Sequence, residues 1–149
     1  MAEIWFYHLT RQPLERVLPS LLEKSLERGW RAVVQTANEE RLRALDDLLW
    51  TYSDESFLAH GTPHDGEPSM QPVYLTSGDE NPNAAKIRFF VDGAKVVAQD
   101  AYDRTILLFD GNDDESLAEA RTQWKALKDD GHALAYWQQN ENGGWDKKA

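Results

Sequence analysis

Hydrophobic and polar positions along the chain follow two different spacings. Runs of consecutive or alternating apolar residues at 4–8, 30–35, 73–76, 85–91, 105–110 and 133–138 are typical of strands, and the continuous runs predict burial on both faces of a sheet. Between them, apolar residues recur every three or four positions over 14–26, 42–49 and 117–128, which predicts amphipathic helices. The order strand, helix, strand, helix at the start is typical of parallel βαβ units.

This order predicts an α/β fold, with one three-layer domain over residues 1–149 and a mixed, mostly parallel sheet flanked by helices. Thr36 and Glu39 have the spacing of a capping box for the second helix. Gly29 and Gly131 stand where the first and last helices are expected to end. Residues 139–149, QNENGGWDKKA, are polar apart from one indole and predict a flexible tail.

The junction between the first strand and the first helix argues against a nucleotide site. Nucleotide-binding α/β domains place glycines there so that the backbone can approach phosphate, but residues 9–13 read LTRQP. Neither a Gly-rich dinucleotide fingerprint nor a Walker-type lysine motif occurs in the sequence. We therefore expect a domain that looks like a nucleotide binder, lacks a phosphate loop and needs no cofactor.

Composition narrows the class of protein further. The net charge is −10, from 26 acidic and 16 basic side chains, which disfavours direct binding to a phosphate backbone. The absence of cysteine excludes disulfides and thiolate metal sites and fits a reducing cytoplasm. No apolar stretch approaches the roughly 20 residues of a membrane span, so we expect a cytoplasmic protein without a membrane partner.

The predicted helix over 117–128 gathers cations around an indole ring. At about 100° per residue, Lys125, Lys128 and Trp124 fall at about +40°, −20° and −60° from Arg121. We call these four residues the basic ridge. A ligand with both negative charge and an apolar end would match it. Compensation of the helix dipole by basic residues in the last turns explains the two lysines equally well, and both interpretations stay open.

A second pair of aromatic residues stands near the end of the second helix. Trp50 and Phe57 lie among acidic residues at 46, 47, 54 and 55, and so many charges make complete burial of that corner unfavourable. An exposed tryptophan and phenylalanine rimmed by acids predict a small protein-binding patch. Packing of both rings into the core is the alternative.

The sequence signals for catalytic and metal-binding residues are weak. His60 and His64 have a four-residue spacing that binds zinc on a helix, but Gly61 and Pro63 make a helix there improbable. Asp110 ends a buried strand and is followed by further acids, an arrangement that suits Mg²⁺ in phosphoryl-transfer enzymes but equally suits loop turning and helix capping. We expect no metal and no catalytic residues, and keep a small Mg²⁺-dependent hydrolase or nucleotide-binding enzyme using Asp110 as the alternative.

The chain resembles the chi subunit of bacterial DNA polymerase III over nearly its whole length. The resemblance lies in FYHL at 6–9, LDDLLWTYSDESFLAHG at 45–61, PVYLT at 72–76, LFDGNDDE at 108–115 and ARTQWKALKDDGHALAYWQQNENGGW at 120–145. The most specific piece is Leu-Asp-x-x-Leu-Trp followed by Glu-Ser-Phe and then His. The resemblance implies a non-catalytic accessory subunit of the DNA-directed DNA polymerase complex, associated with its clamp loader and active in DNA replication.

The resemblance also implies partners. Members of this family bind the acidic, phenylalanine-ended C-terminal tail of single-stranded-DNA-binding protein through a basic and aromatic helix, whose positions match the basic ridge. A second family surface, with a tryptophan and a phenylalanine that match Trp50 and Phe57, contacts the psi subunit or a helicase-like protein. DNA is then reached only indirectly. Direct binding of single strands by exposed tryptophans is a further hypothesis, which the net charge disfavours.

Overall fold

The computed structural model describes residues 3–10, 12–51, 60–96, 102–142 and 144–149, and it contains the predicted order of elements. Within these residues the strands are β1 (Glu3–Leu9), β2 (Ala32–Gln35), β3 (His60–Gly61), β4 (Val73–Thr76), β5 (Ile87–Phe90), β6 (Arg104–Asp110), β7 (Ala133–Gln139) and β8 (Trp145–Lys147). The helices are α1 (Leu14–Glu27), α2 (Glu39–Thr51) and α3 (Asp114–Asp129), with a 3₁₀ turn at Pro68–Met70. The predicted α/β fold is confirmed.

The strands form one sheet in the order β3-β4-β2-β5-β6-β1-β7-β8. Every strand pair in this sheet is parallel except β7 with β8. β6 lies in the middle because its apolar body can be buried on both faces, and five consecutive residues of it are buried. The sheet is therefore mixed and mostly parallel, as the sequence predicts.

Helices cover both faces of the sheet and make three layers. α1 and α2 pack with one core cluster, whereas α3 packs with another. Side chains alternate along β1, so Ile4 and Phe6 belong to the α3 cluster while Tyr7 and Leu9 belong to the α1 and α2 cluster. None of the helices in the described ranges is long and apolar enough to cross a lipid bilayer.

The start of α2 corrects one prediction about helix ends. The capping box predicted at Thr36 is wrong, because α2 begins at Glu39 and the cap is Asn38. The Asn38 side chain accepts a hydrogen bond of 2.9 Å from the backbone N–H of Arg41. Thr36 instead donates its hydroxyl to the carbonyl oxygen of Asn38 at 3.0 Å, which orders the turn before the helix.

The end of the chain corrects a second prediction. A flexible tail is expected over 139–149, but Trp145–Lys147 form β8, which pairs with β7. The indole of Trp145 stacks on the Tyr7 ring, with 4.6 Å between centroids and 21° between planes. The Lys148 N–H also donates to the Tyr136 carbonyl oxygen at 2.7 Å. The polar composition gives no sign of this contact, because backbone pairing and a single half-buried ring are enough to hold the segment.

A buried arginine at the centre of the sheet has no counterpart among the predictions. Arg88 is wholly inaccessible to solvent, although it lies in the apolar strand β5. Its guanidinium donates to Gln35 Oε1 at 2.6 and 3.2 Å, to the carbonyl oxygens of Gly78 and Glu80 at 2.7 and 2.9 Å, and to the Tyr102 hydroxyl at 2.8 Å. These bonds satisfy the buried charge and fix the loop after β4.

Candidate functional site

The sequence folds α3 so that one side meets the sheet and the other meets solvent. Ala120 and Leu127, seven residues apart and therefore on one side of the helix, are 2 % and 8 % exposed. Trp124 is half-buried beside them. The cations of the basic ridge lie exposed along the neighbouring side, at Arg121, Lys125 and Lys128. The helix thus presents three positive charges at the edge of a partly covered indole.

The charges of the basic ridge are not neutralised within the part of the chain that the structure describes. The ion pairs found there join His60 to Asp46 and His64 to Glu39, on the α2 side of the sheet. No carboxylate in the described ranges makes such a contact with the ridge cations. In a chain of net charge −10, three cations that no described carboxylate pairs with leave a local positive field for an anionic ligand.

Aromatic side chains from two strands form the wall behind Trp124. The Phe6 ring on β1 meets the indole edge to face, with 5.2 Å between centroids and 86° between planes. The Tyr136 ring on β7 also meets the Trp124 indole edge to face, with 5.6 Å between centroids and 81° between planes. Such pairs hold the indole in one orientation and leave its outer part as a fixed apolar surface. An aromatic or aliphatic ligand group would meet a rigid shelf there.

His8 and Tyr136 belong to this site, although neither is among the site residues predicted from the sequence. The His8 Nδ1 and the Tyr136 hydroxyl share a hydrogen bond of 2.7 Å. Burial and the positive charge of Arg121 lower the pKa of His8, against the opposing effect of Asp110. Burial raises the pKa of Tyr136, so its hydroxyl stays protonated. The site therefore contains a neutral, polar pair next to the Arg121 guanidinium.

The sequence does carry a signal for His8. It stands two residues after Phe6 in β1, and alternate residues of a strand face the same side of the sheet. Gly111 then brings the connection from β6 to α3 against the His8 ring. A Cβ at Gly111 would overlap that ring and stand 2.9 Å from the Leu9 carbonyl oxygen, so only glycine permits this approach.

Trp50, one of the two residues of the predicted second patch, lies on the other side of the sheet. Trp50, near the end of α2, is 53 % exposed, and its ring lies 4.4 Å from the His60 ring. The His60 Nε2 is 2.9 Å from Asp46 Oδ1, which ties the ring to α2. Phe57 lies outside the described residues. The structure thus places Trp50 on a surface separate from the basic ridge, because α2 and α3 cover opposite faces of the sheet.

The two histidines considered for zinc are held by different carboxylates. His60 contacts Asp46, whereas the exposed His64 lies 3.1 Å from Glu39 Oε2. Among the residues described, no group of three or more His, Cys, Asp and Glu side chains could hold a metal ion. Asp110 accepts the backbone N–H of Asn112 at 2.9 Å and so orders the turn after β6.

A cavity of about 810 Å³ opens at the carboxyl ends of β1 and β6, where related folds bind nucleotides. Its charged lining is mostly negative, with Arg41 and Lys95 opposed by Glu15, Asp92, Asp110, Asp113, Glu115 and Glu119. This excess of carboxylates repels phosphate groups. The loop after β1 also lacks the glycines that would bring backbone N–H groups to a phosphate. The cavity therefore gives the nucleotide-binding alternative no support.

Comparison with known proteins agrees with the resemblance seen in the sequence. The model of the family described as DNA polymerase III chi subunit, HolC, matches residues 1–135 of this chain. A protein of Rickettsia prowazekii (strain Madrid E), named as a probable DNA polymerase III subunit chi, is 28 % identical over 156 residues, which cover 100 % of this chain and 93 % of the relative. The matched family residues include the whole of α3 and the Trp50 region.

Proposed function

The chain belongs to the DNA polymerase III chi subunit family, and from this premise we propose that its basic ridge binds the acidic C-terminal tail of single-stranded-DNA-binding protein. A chi subunit is an accessory subunit of DNA polymerase III, and the family name implies a non-catalytic part in DNA replication. In our proposal the chain tethers the tail, and with it the protein-coated single strand, to the clamp loader of the polymerase. Contact with DNA through this route is indirect.

One observation carries the proposal: three exposed cations, none of them in an ion pair with a residue that the structure describes, lie beside a fixed, half-buried indole. The planar guanidinium of Arg121 suits a terminal carboxylate, because it can donate two parallel hydrogen bonds. Lys125 and Lys128 lie along the same side of α3 and suit the aspartates that precede the last residue of the tail. The tail phenylalanine would pack on the shelf of Trp124 and Tyr136.

The neutral pair of His8 and Tyr136 supports the same ligand. Both side chains lie close enough to Arg121 to feel its charge, which adds to the lowering of the His8 pKa and opposes the rise that burial gives the pKa of Tyr136. A bound carboxylate would partly cancel that charge, so ligand binding and the protonation of His8 are coupled. The ring of His8 also packs 5.1 Å from Phe109, which keeps it beside the ridge in the absence of a ligand.

The proposal includes a second partner at Trp50. Its 53 % exposure on α2 gives a large aromatic surface of the kind that anchors protein interfaces. We propose that this surface contacts the psi subunit or a helicase-like protein, with Phe57 from the neighbouring segment. Since α2 and α3 lie on opposite faces of the sheet, both partners can bind at the same time.

Calorimetric titration of the full chain with a tail peptide tests the first part of the proposal. We expect micromolar binding that weakens as salt rises, because the cations are exposed. Arg121→Ala and Lys125→Ala should each weaken binding about two- to ten-fold. Arg43→Ala is the matched control, since it removes an exposed cation from α2. Equal affinity of the wild type and both ridge variants would refute the proposal.

Trp50→Ala separates the two surfaces. It should leave tail-peptide affinity unchanged and abolish binding of the second partner, measured by co-purification with psi or a helicase-like protein. Loss of peptide binding in Trp50→Ala, together with a lower melting temperature, would indicate disturbed packing and contradict the assignment of Trp50 to a separate surface.

A further inference from the structure

A second cluster of cations and indole rings lies on the face of the sheet opposite the basic ridge. The Arg104 guanidinium, on β6, lies over the Trp5 ring with 3.8 Å between Cζ and the ring centroid. The Arg104 Cζ is also 5.6 Å from the centroid of the Trp30 ring, and the Cζ of Arg28 is 5.5 Å from the same centroid. We call these four residues the arginine–tryptophan face. Trp5 and Trp30 both pack on the α1 and α2 core cluster, so the arginine–tryptophan face lies on the side of the sheet that α1 and α2 cover.

The two arginines of this face have no carboxylate in ion-pair contact among the residues that the structure describes. Glu3, which lies nearby, instead accepts the indole N–H of Trp5 at 2.8 Å. Burial and the like charge of Arg28 lower the pKa of Arg104, against the opposing effects of Tyr7 and of the Glu3 carboxylate. Stacking on the Trp5 and Trp30 rings holds the two guanidinium groups in place but does not neutralise their charges, whereas an anionic ligand would.

Stacking explains the position of the Arg104 guanidinium but leaves its donors unused. A guanidinium over an indole ring is attracted by the ring through its flat face, and its N–H groups point outward from its edges. No described residue accepts a hydrogen bond from the side chain of Arg104 or Arg28. The side chain is therefore pre-oriented for a phosphate or carboxylate oxygen, and little entropy is lost when such a group binds.

Aromatic rings continue from this face across the neighbouring strands. The half-buried Trp137 ring on β7 lies 5.4 Å from Trp5, and the half-buried Trp145 ring on β8 stacks on the buried Tyr7 ring at 4.6 Å. Lys147 pairs directly with Trp137, so its exposed side chain lies on the same face. A row of flat rings bordered by cations spans β6, β1, β7 and β8, about 14 Å at the usual strand spacing.

We propose that the arginine–tryptophan face binds single-stranded DNA, with its guanidinium groups holding phosphate oxygens and the neighbouring rings stacking bases. Exposed bases and a phosphodiester backbone together match alternating rings and cations, which is how proteins hold single strands without reading sequence. An acidic peptide would use the cations but not a row of rings. The net charge of −10 opposes binding at long range, but at about 0.1 M salt it is screened beyond roughly 10 Å while contacts at the face remain.

Fluorescence anisotropy with a labelled oligothymidylate and the full chain tests this proposal. We expect saturable binding that quenches tryptophan fluorescence. Arg104→Ala should weaken binding at least five-fold and change the slope of log K against log salt by about 0.7, because one phosphate contact is lost. Arg28→Ala, at an exposed position, should act in the same direction and serves as the second variant if Arg104→Ala does not fold.

Two matched controls locate the binding. Arg43→Ala removes the same charge from the exposed side of α2, and Arg121→Ala removes it from the basic ridge; both should keep oligonucleotide affinity within two-fold. Absence of oligonucleotide binding by the wild type, or equal loss in Arg104→Ala and Arg43→Ala, would overturn the proposal. Binding of an acidic peptide that depends on Arg104, with no binding of the oligonucleotide, would overturn it as well and assign the face to a protein partner.

Discussion

Arg88 offers the most direct test of how this sheet is stabilised. Arg88→Met keeps most of the side-chain volume and removes the guanidinium that bonds to Gln35, Gly78, Glu80 and Tyr102. Each of the four groups left without its donor costs about 1 kcal/mol, the low end of the usual range, because three of them are only partly buried. The variant no longer has a buried charge, and the desolvation free energy that is saved offsets about 1–2 kcal/mol of this loss.

The expected net loss in the free energy of unfolding is therefore about 2–3 kcal/mol. Urea denaturation followed by far-UV circular dichroism measures it, and with a slope of about 1–3 kcal/mol/M the midpoint should fall by about 0.7–3 M. Arg43→Met is the control, because Arg43 is exposed on α2 and surface changes usually stay within about 0.5 kcal/mol. If both variants unfold at the same urea concentration as the wild type, the bonds of Arg88 do not stabilise the fold and this reasoning is wrong.

Three further predictions concern His8 beside the basic ridge and the last strand. Because the charge of Arg121 helps to lower the pKa of His8, Arg121→Ala and the addition of tail peptide should each raise that pKa, as followed by NMR titration of the imidazole; an unchanged value in both cases would contradict the coupling. The lowered pKa also means that the unfolded chain takes up the His8 proton first, so stability should decrease as the pH falls below about 6.5, and a flat profile in that range would contradict the assignment. Trp145→Ala removes the stack on Tyr7 and should lower the free energy of unfolding by about 1–2 kcal/mol in a urea titration, whereas a loss no greater than that of Lys148→Ala would show that β8 is only loosely attached.

The basic ridge could be placed from the sequence because its geometry is local. Residues three, four and seven apart on one helix share a side whatever the rest of the fold does, so Arg121, Lys125 and Lys128 line up as the spacing predicts. His8 and Tyr136 were beyond that reasoning, since their contact joins positions 128 residues apart. It depends on β1 and β7 being neighbours and on their register, which no local pattern specifies.

Composition was misleading where a single tertiary contact decides the outcome. The segment around Trp145 is polar and predicts a loose end, yet its backbone completes the sheet. Thr36 has the right residue type for a cap, but Asn38, two residues later, takes that position because α2 begins at Glu39. Arg88 stands among apolar neighbours in β5, and the sequence gives no sign that loop carbonyls close around its charge.

Within the described residues, both borders of the sheet are very short strands, β3 with two residues and β8 with three. Such borders offer few unpaired backbone groups to another sheet, so edge-to-edge association between copies of the chain is suppressed. The short edge strands thus limit self-assembly, and a subunit of a larger complex can reach high local concentration without forming intermolecular sheets.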